Sequence, residues 1–176
     1  MKILLVTGMP GAGKEELLNV ARSMGIPFLR MGDIVREFHQ TSGAAEKGLS
    51  VGQVANGERE KHGKDIWAKR AIERMSGDIF LVDGCRSLDE VDSYKGLSDQ
   101  VYIIGVHASR AVRYDRLVRR GRDDAPKDMK EFDERDSREL GWGLGSVIAL
   151  SDILVINDCD LETFRAKVTK ELEALR

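Results

Sequence analysis

A lysine that follows closely spaced glycines lies near the start of the chain. Residues 8–14 read Gly-Met-Pro-Gly-Ala-Gly-Lys, so that Gly8, Gly13 and Lys14 hold the spacing G-x-x-x-x-G-K. Glycines at these positions allow successive backbone N–H groups to turn inward around an anion, and the lysine adds a positive charge for the β- and γ-phosphates of a nucleotide. This segment, called the phosphate loop below, therefore predicts phosphate binding.

The sequence on either side of the phosphate loop supports this prediction. The apolar run Ile3–Val6 predicts a buried strand before it, and residues 13–23 have the apolar spacing of a helix after it. The positive end of that helix dipole would point at the same anion. The candidate ATP-binding residues of this segment are Gly8, Met9, Pro10, Gly11, Ala12, Gly13, Lys14 and Glu15.

The residue after the lysine departs from the usual pattern. Ser or Thr is expected there because its hydroxyl coordinates Mg²⁺, whereas this chain has Glu15. A carboxylate oxygen can also bind Mg²⁺, although its charge would repel the phosphates unless the metal lay between them. We predict a direct or water-bridged contact of Glu15 with Mg²⁺. The pattern favours phosphate binding more firmly than rapid metal-assisted transfer.

Composition restricts the class of protein. The 176 residues suit one domain, 41% of them are hydrophobic, and the net charge is −2. These values predict a folded core and give no sign of the basic surface that nucleic-acid-binding proteins carry. The apolar runs are too short to span a bilayer, and Cys85 and Cys159 lack the spacing of metal ligands. We expect a cytoplasmic protein with reduced cysteines and no membrane partner.

Apolar strands alternate with helical patterns, which predicts a parallel α/β sheet. The predicted strands are 2–7, 27–30, 78–83, 100–107 and 153–156, and helices are predicted at 13–23, 110–120 and 161–175. Asp160 should cap the last helix, which should bury Leu161 and the apolar residues that follow at helical spacing. In residues 43–63 and 121–130 we expect mobile connections, either lids and substrate flaps or solvated loops without a role.

An acidic residue and an arginine follow the predicted strand 78–83. Asp83 is placed to hold a water of Mg²⁺, and Gly84 allows a sharp turn after it. Arg86 would then point into the crevice beyond the strand ends, where its planar guanidinium suits a phosphate. After the strand 27–30, Asp33 is a candidate helix cap, and Arg36 can face the same crevice from one turn later.

Arginines are concentrated in one helix and the segment after it. They are Arg110, Arg113, Arg116, Arg119, Arg120 and Arg122, followed by Arg135 and Arg138. Arginines on a closing lid would supply positive charge to a transferring phosphoryl group and exclude water. The alternative is a solvated basic face paired with Asp115, Asp123 and Asp124. RNA binding is a competing use of such a cluster, but no aromatic stacking platform accompanies it.

Together these motifs give the chain a recognisable pattern. It resembles the nucleoside-monophosphate-kinase group of P-loop proteins, and more closely an archaeal family of adenylate-kinase-like and dephospho-CoA-kinase-like ATP-binding proteins. The resemblance rests on residues 7–14, 31–33, 83–88 and 135–141 and extends over essentially the whole chain. It implies a single domain, residues 1–176, with a three-layer α/β/α P-loop NTPase fold and a five-stranded parallel sheet. It also implies a helical acceptor-binding insert at about residues 31–76 and a short lid at about residues 120–131.

The resemblance implies roles by position, with ATP and Mg²⁺ as cofactors. Arg36 and Arg86 would hold an acceptor phosphate, Arg116 would stack on the ATP base, and Asn157 would lie against adenine. The candidate catalytic residues are Lys14, Arg120, Arg122, Arg135 and Arg138; the candidate acceptor-binding residues are Asp33, Arg36 and Arg86; the candidate metal-binding residues are Glu15 and Asp83. Adenylate kinases carry a glutamine that reads the AMP base where this chain has Glu90, which weakens AMP as the acceptor.

Three functions are compatible with these residues. The first is a kinase that moves the γ-phosphoryl group of ATP to a small phosphorylated acceptor. The second is an ATP-dependent switch or adaptor with slow hydrolysis and a protein or RNA partner, which Glu15 favours slightly. The third is a nucleotide-binding module without turnover. Arg36 and Arg86 favour the kinase, because a switch has no need of an acceptor-phosphate pocket.

Overall fold

A parallel five-stranded sheet in the order β2-β3-β1-β4-β5 forms the centre of the molecule. The structure is a computed structural model that describes residues 1–121 and 125–176. The strands are β1 Lys2–Thr7, β2 Phe28–Arg30, β3 Ile79–Asp83, β4 Val101–His107 and β5 Ile153–Ile156. All five predicted strands are therefore confirmed to within one residue at each end.

Helices cover both faces of this sheet. They are α1 Lys14–Ser23, α2 Met31–Thr41, α3 Val51–His62, α4 Ile66–Ile72, α5 Leu88–Lys95, α6 Arg110–Arg120, α7 Met129–Gly141, α8 Leu144–Ala149 and α9 Leu161–Leu175. Helices α1 and α9 pack on one face, and α2, α4, α5 and α8 contribute to the core on the other. Within residues 1–121 and 125–176, no helix is long and apolar enough to cross a bilayer.

The central strand β1 shows how the three layers arise. Its side chains alternate in direction, so that Ile3 and Leu5 enter one core whereas Leu4 and Val6 enter the other. All four are fully buried. A continuous apolar run is what a parallel strand covered on both faces requires, and this confirms the three-layer α/β/α arrangement.

The strand register brings the ends of β1, β2 and β3 together. Asp83 is paired with Val6 of β1 on one side and with Arg30 of β2 on the other. The turn after β3 is held to β1 by two hydrogen bonds: Gly84 N–H donates to the Val6 carbonyl (3.1 Å), and the Thr7 hydroxyl donates to the Cys85 carbonyl (2.9 Å). Consequently the phosphate loop, Arg30 and Asp83 are neighbours.

Residues 43–63 differ from the prediction, because most of them form helix α3 rather than a mobile connection. The helix begins with a capping box, in which Ser50 and Gln53 each accept a hydrogen bond from the other's backbone N–H (3.2 and 2.8 Å). The carbonyl of Ala55 accepts a hydrogen bond from the buried Trp67 indole (3.1 Å). Tertiary packing thus outweighs the low helix propensity of a glycine-containing segment.

Two predicted helix starts have different outcomes. Asp160 caps α9 as predicted, accepting a hydrogen bond from Thr163 N–H (2.8 Å), although Leu161 is exposed and its expected burial is wrong. The prediction of Asp33 as a helix cap is also wrong. Helix α2 begins at Met31, so Asp33 lies within the first turn. Its carboxylate does not cap the helix and pairs with Arg36 instead.

Candidate active site

A cleft of about 370 Å³ opens at the carboxyl ends of β1, β2 and β3. Parallel strands place their following loops at this edge, where ligands of open α/β sheets bind. The sequence-predicted site residues that line the cleft are Gly8, Pro10, Gly11, Gly13, Lys14, Glu15, Arg36, Asp83, Arg86, Arg116, Arg120 and Arg135. Arg30 and Glu139 also line it and were missed by the sequence analysis.

Glycine is required at two positions of the phosphate loop. Gly11 and Gly13 have φ angles of +82° and +109°, which side-chain-bearing residues rarely adopt. A Cβ on Gly13 would lie 2.1 Å from Asn157 Nδ2, and one on Gly11 would lie 2.8 Å from the Arg113 carbonyl oxygen. The loop is therefore packed tightly against Asn157 and α6, and its shape depends on both contacts.

The Lys14 ammonium lies at the floor of the cleft. Its Nζ donates a hydrogen bond to the Gly8 carbonyl (2.6 Å), which folds the side chain back over the loop. Burial lowers the pKa of Lys14, and the nearby Asp83 carboxylate opposes that shift. A partly buried cation beside inward-turned N–H groups is suited to an anion that would restore its lost solvation.

Asp83 offers an oxygen atom that the rest of the structure does not use. Its Oδ1 is buried and has no hydrogen-bond partner among the described residues. Burial raises the pKa of Asp83, and the Lys14 ammonium opposes this. An unsatisfied carboxylate oxygen beside a phosphate site fits a divalent cation or a water bound to one. The residues present therefore suit Mg²⁺ at Asp83.

Glu15 has a different partner from the one predicted. Its Oε1 lies 2.5 Å from Nη2 of Arg30, at the end of β2. The Glu15 side chain is about half exposed and lines the same cleft as Asp83. A metal contact of Glu15 stays a prediction, and the structure adds a competing cation that the sequence did not reveal.

Two of the predicted acceptor-binding residues, Arg36 and Arg86, line the cleft. Arg36 packs over Gly32 and pairs with Asp33. Arg86 Nε lies 3.3 Å from Glu139 Oε2, and its guanidinium lies 5.0 Å from the centre of the Trp142 ring. Arg86 is thus held between α7 and an aromatic ring, and both arginines line the same cleft as the phosphate loop.

A second pocket of about 410 Å³, called the side pocket, adjoins the cleft through Arg86. Glu90 lies at its base, where Oε2 accepts a hydrogen bond from Arg86 N–H (2.7 Å) and Oε1 is 3.6 Å from Arg59. Burial raises the pKa of Glu90, whereas the Arg86 N–H and the Arg59 charge oppose the shift. Trp142 forms one wall, with the Arg59 guanidinium 5.4 Å from its ring centre. The side pocket therefore combines charged groups with an aromatic surface.

The arginines of α6 are divided between scaffold and cleft. Arg113 is buried and makes a bidentate ion pair with Asp136 of α7 (2.9 and 2.5 Å). It also donates to the Pro10 carbonyl of the phosphate loop (3.1 Å). Arg119 pairs with Asp115 at 2.8 Å, which bears out the alternative of a paired basic surface for that residue. Arg113 was counted in the predicted arginine cluster, but its pairing with Asp136 was not predicted.

Arg116 connects the cleft to the end of the sheet. Its guanidinium donates to the Asn157 carbonyl (2.9 Å) and to the Ala12 carbonyl (3.4 Å). The Asn157 side chain donates to the same Ala12 carbonyl (2.8 Å). Asn157 is therefore buried behind the phosphate loop rather than exposed in the cleft, and Ala12 is buried with it.

The predicted catalytic arginines do not all reach the cleft. Arg120 and Arg135 line it, whereas Arg138 is exposed on α7 and is not among the lining residues. Met9 likewise does not line the cleft. Arg122 lies outside the described residues.

Comparison with known proteins agrees with this arrangement. The model of an AAA domain family matches residues 7–133. A UPF0200 protein of Hyperthermus butylicus is 46% identical over 176 residues, covering 98% of this chain and 94% of the relative. One from Thermoplasma acidophilum is 44% identical over 171 residues, with 97% and 94% covered. The chain belongs to this AAA domain family and to the archaeal UPF0200 proteins.

Solved structures of low sequence identity share the fold of this UPF0200 protein. The shikimate kinase of Bacteroides thetaiotaomicron gives a TM-score of 0.64 at 15% identity and covers 98% of each chain. A gluconokinase from Sinorhizobium meliloti gives 0.62 at 16% identity, covering 99% of this chain and 93% of the other. The predicted α/β P-loop kinase fold is thereby confirmed.

The Arg113–Asp136 pair gives a test of how α7 is anchored. Asp136→Asn should lower the free energy of unfolding by about 3 kcal/mol, because it leaves the buried Arg113 without a compensating charge. The control is Asp133→Asn, which lies on the same helix as Asp136. It removes the ion-pair partner of the exposed Arg110 and should lower the free energy of unfolding by no more than about 0.5 kcal/mol. Urea denaturation measures both. Equal losses in the two variants would show that the buried pair does not anchor α7.

Proposed function

We propose that this protein is an ATP-dependent kinase that transfers the γ-phosphoryl group of ATP to a small phosphorylated acceptor. One observation supports the proposal: the phosphate loop with Lys14 and the pair Arg36 and Arg86 line a single cleft. A donor phosphate and an acceptor phosphate would thus be held within the same cleft. Phosphoryl transfer depends mainly on such positioning and on compensating charge.

Each cation would act on a different part of the reactants. Lys14 would bind the β- and γ-phosphates, and Arg120 and Arg135 would stabilise the charge of the transferring group. Arg36 and Arg86 would orient the acceptor through its phosphate. The attacking phosphate oxygen is already ionised at neutral pH, so the acceptor needs no strong general base.

A divalent metal would be held by Asp83, with Glu15 as the second candidate. The unsatisfied Oδ1 of Asp83 is the observation in favour of this position. When bound there with ATP, Mg²⁺ would neutralise negative charge on the phosphate oxygens. The protein's own contribution is the placement of carboxylate oxygens beside the phosphate loop.

The side pocket provides room for the part of the acceptor beyond its phosphate. It shares Arg86 with the cleft, so a molecule whose phosphate binds Arg86 can extend towards Trp142. Helices α2, α3 and α4 would then serve as the acceptor-binding insert of about residues 31–76. Residues at about 120–131 would form the short lid over the ATP side.

The names of the structural neighbours support a kinase, since two of them are a shikimate kinase and a gluconokinase. The pair Arg36 and Arg86 favours a different acceptor here, because planar guanidinium groups are suited to bidentate contact with phosphate. Shikimate and gluconate are therefore useful comparison compounds in a search for the acceptor.

Binding of nucleotide is the first requirement. Lys14→Ala should weaken ATP binding about 10- to 100-fold, because it removes charge-assisted contacts to the phosphates. Isothermal titration calorimetry with Mg²⁺ present measures this. Lys2→Ala is the matched control, since Lys2 lies at the other end of β1, where its Nζ binds the Leu175 carbonyl. Unaltered ATP affinity in Lys14→Ala would contradict the assignment of the loop.

Transfer is tested with γ-labelled ATP and a panel of phosphorylated compounds, alongside shikimate and gluconate. We expect label to appear on a phosphorylated acceptor. Arg36→Gln and Arg86→Gln should each lower that transfer at least about tenfold, because an acceptor-phosphate contact is lost, while ATP binding measured by calorimetry stays within about twofold. Release of free phosphate with no labelled acceptor, unchanged in both variants, would instead favour the switch.

An acceptor found in this way should also report on Trp142. Its binding should quench tryptophan fluorescence, because it enters the side pocket beside the indole. Trp142→Phe should abolish the change, whereas the remaining Trp67 is fully buried in the core and should be insensitive. Quenching that persists in Trp142→Phe would place the acceptor elsewhere.

A further inference from the structure

Arg30 has an unusual position between the two halves of the cleft. It is the last residue of β2, and its Nη2 lies 2.5 Å from Glu15 Oε1 on the nucleotide side. On the acceptor side, Nη1 is 3.9 Å from Asp33 Oδ2. Strand pairing places it beside Asp83, the candidate metal-binding residue. The Arg30 guanidinium is thus at hydrogen-bond distance from Glu15 and at ion-pair distance from Asp33.

The hydrogen bonding around Arg30 is incomplete. Its Nε is buried without a hydrogen-bond partner among the residues described, and Asp83 Oδ1 beside it is in the same condition. Two strand-paired residues of opposite charge therefore each keep one buried polar atom unsatisfied. Each unsatisfied buried group has a desolvation cost that a better arrangement would remove. The arrangement is suited to a rearrangement of the Arg30–Glu15 ion pair when a divalent metal ion binds.

We propose that Arg30 competes with the divalent metal for the carboxylate of Glu15. The proposal rests on the proposed function, because it requires a metal–nucleotide complex at the phosphate loop. Both cations need the same side chain: the guanidinium is in contact with it, and Mg²⁺ requires oxygen ligands at about 2.0–2.1 Å in near-octahedral geometry. The guanidinium neutralises the carboxylate and weakens its attraction for a second cation.

This competition explains how the chain can have the carboxylate of Glu15 at the position after Lys14, where the hydroxyl of Ser or Thr is usual. Without a nearby cation, Glu15 would repel the triphosphate bound at the adjacent Lys14. Paired with Arg30, it carries little net charge while the metal is absent, and it becomes a ligand when the metal takes the place of Arg30. The pair therefore sets the metal concentration at which nucleotide binds.

The test is a double-mutant cycle with Mg²⁺ affinity as its readout. A non-hydrolysable ATP analogue is titrated calorimetrically into wild type, Arg30→Gln, Glu15→Gln and the double variant at graded Mg²⁺ concentrations. Arg30→Gln should lower the Mg²⁺ concentration for half-maximal binding about threefold, as expected for a half-exposed ion pair. Glu15→Gln should raise it. In the Glu15→Gln background Arg30→Gln should have a smaller effect than in wild type, because only the charge of Arg30 near Asp83 then remains.

Arg22→Gln is the matched control. Arg22 lies over the same Phe28 ring as Arg30, at 5.2 Å against 5.5 Å, but its Nη1 binds Asn19 on the outer side of α1. It should leave the Mg²⁺ dependence unchanged. Thermal unfolding of each variant verifies that the fold is intact, so that a loss of stability is not read as a change in metal affinity.

The outcomes separate this proposal from the proposed function. An Arg30→Gln effect that is larger with Glu15 than without it supports the competition. An unchanged Mg²⁺ dependence in Arg30→Gln, or an equal effect in the Glu15→Gln background, overturns the competition while nucleotide binding by wild type stands. No heat from wild type at any Mg²⁺ concentration removes nucleotide binding and the competition together.

Discussion

The Lys14 ammonium is the charge around which the cleft is organised. It is partly withdrawn from water, and its hydrogen bond to Gly8 goes to a neutral carbonyl rather than to a counter-ion. A cation in this position is stabilised most by an anion, and the inward-turned amides of the loop favour the same ligand. The parallel sheet and the helices α6 and α7 then determine what else can contact that anion, because their residues line the cleft together with the phosphate loop.

Supporting contacts hold the phosphate loop in the shape that this charge requires. Asn157 and Arg116 both bind the Ala12 carbonyl, and Arg113 binds the Pro10 carbonyl. These contacts come from α6 and from the end of β5, which are distant in sequence. The carbonyls of Pro10 and Ala12 are thereby engaged by groups from outside the loop. Arg113 also binds Asp136 of α7, so that helix and the phosphate loop are held by the same arginine.

The sequence was sufficient for the features that depend on local pattern. The five strands, the loop and the helices α1, α6 and α9 follow from apolar periodicity and glycine spacing, and the structure confirms them. Arg36 and Arg86 could be placed in the crevice because each follows a strand of a parallel sheet, where the direction of the chain is fixed. Such arguments need only the neighbouring residues.

Features that depend on distant pairs were not predictable in this way. Helix α3 forms because Ala55 packs in the same core as Trp67 and its neighbours, although Gly52 and Gly57 lower its intrinsic stability. The partner of Glu15 is 15 residues away, and that of Arg113 is 23 residues away. No periodicity links such residues. Sequence alone therefore identified the charged groups but could not determine which charges neutralise one another.

The arginines of α6 show why the pairing of charges matters for function. Arg113, Arg116 and Arg120 recur at helical spacing and lie on the side of the loop, whereas Arg119 pairs with Asp115 away from the cleft. The roles of these arginines differ with their burial. Arg113 is buried, pairs with Asp136 and binds the Pro10 carbonyl of the loop, whereas Arg120 lines the cleft from the C-terminal end of the helix. One helix face therefore supplies both the support of the loop and a charge for its ligand. A ligand held by this row is positioned by the same contacts that keep the loop folded.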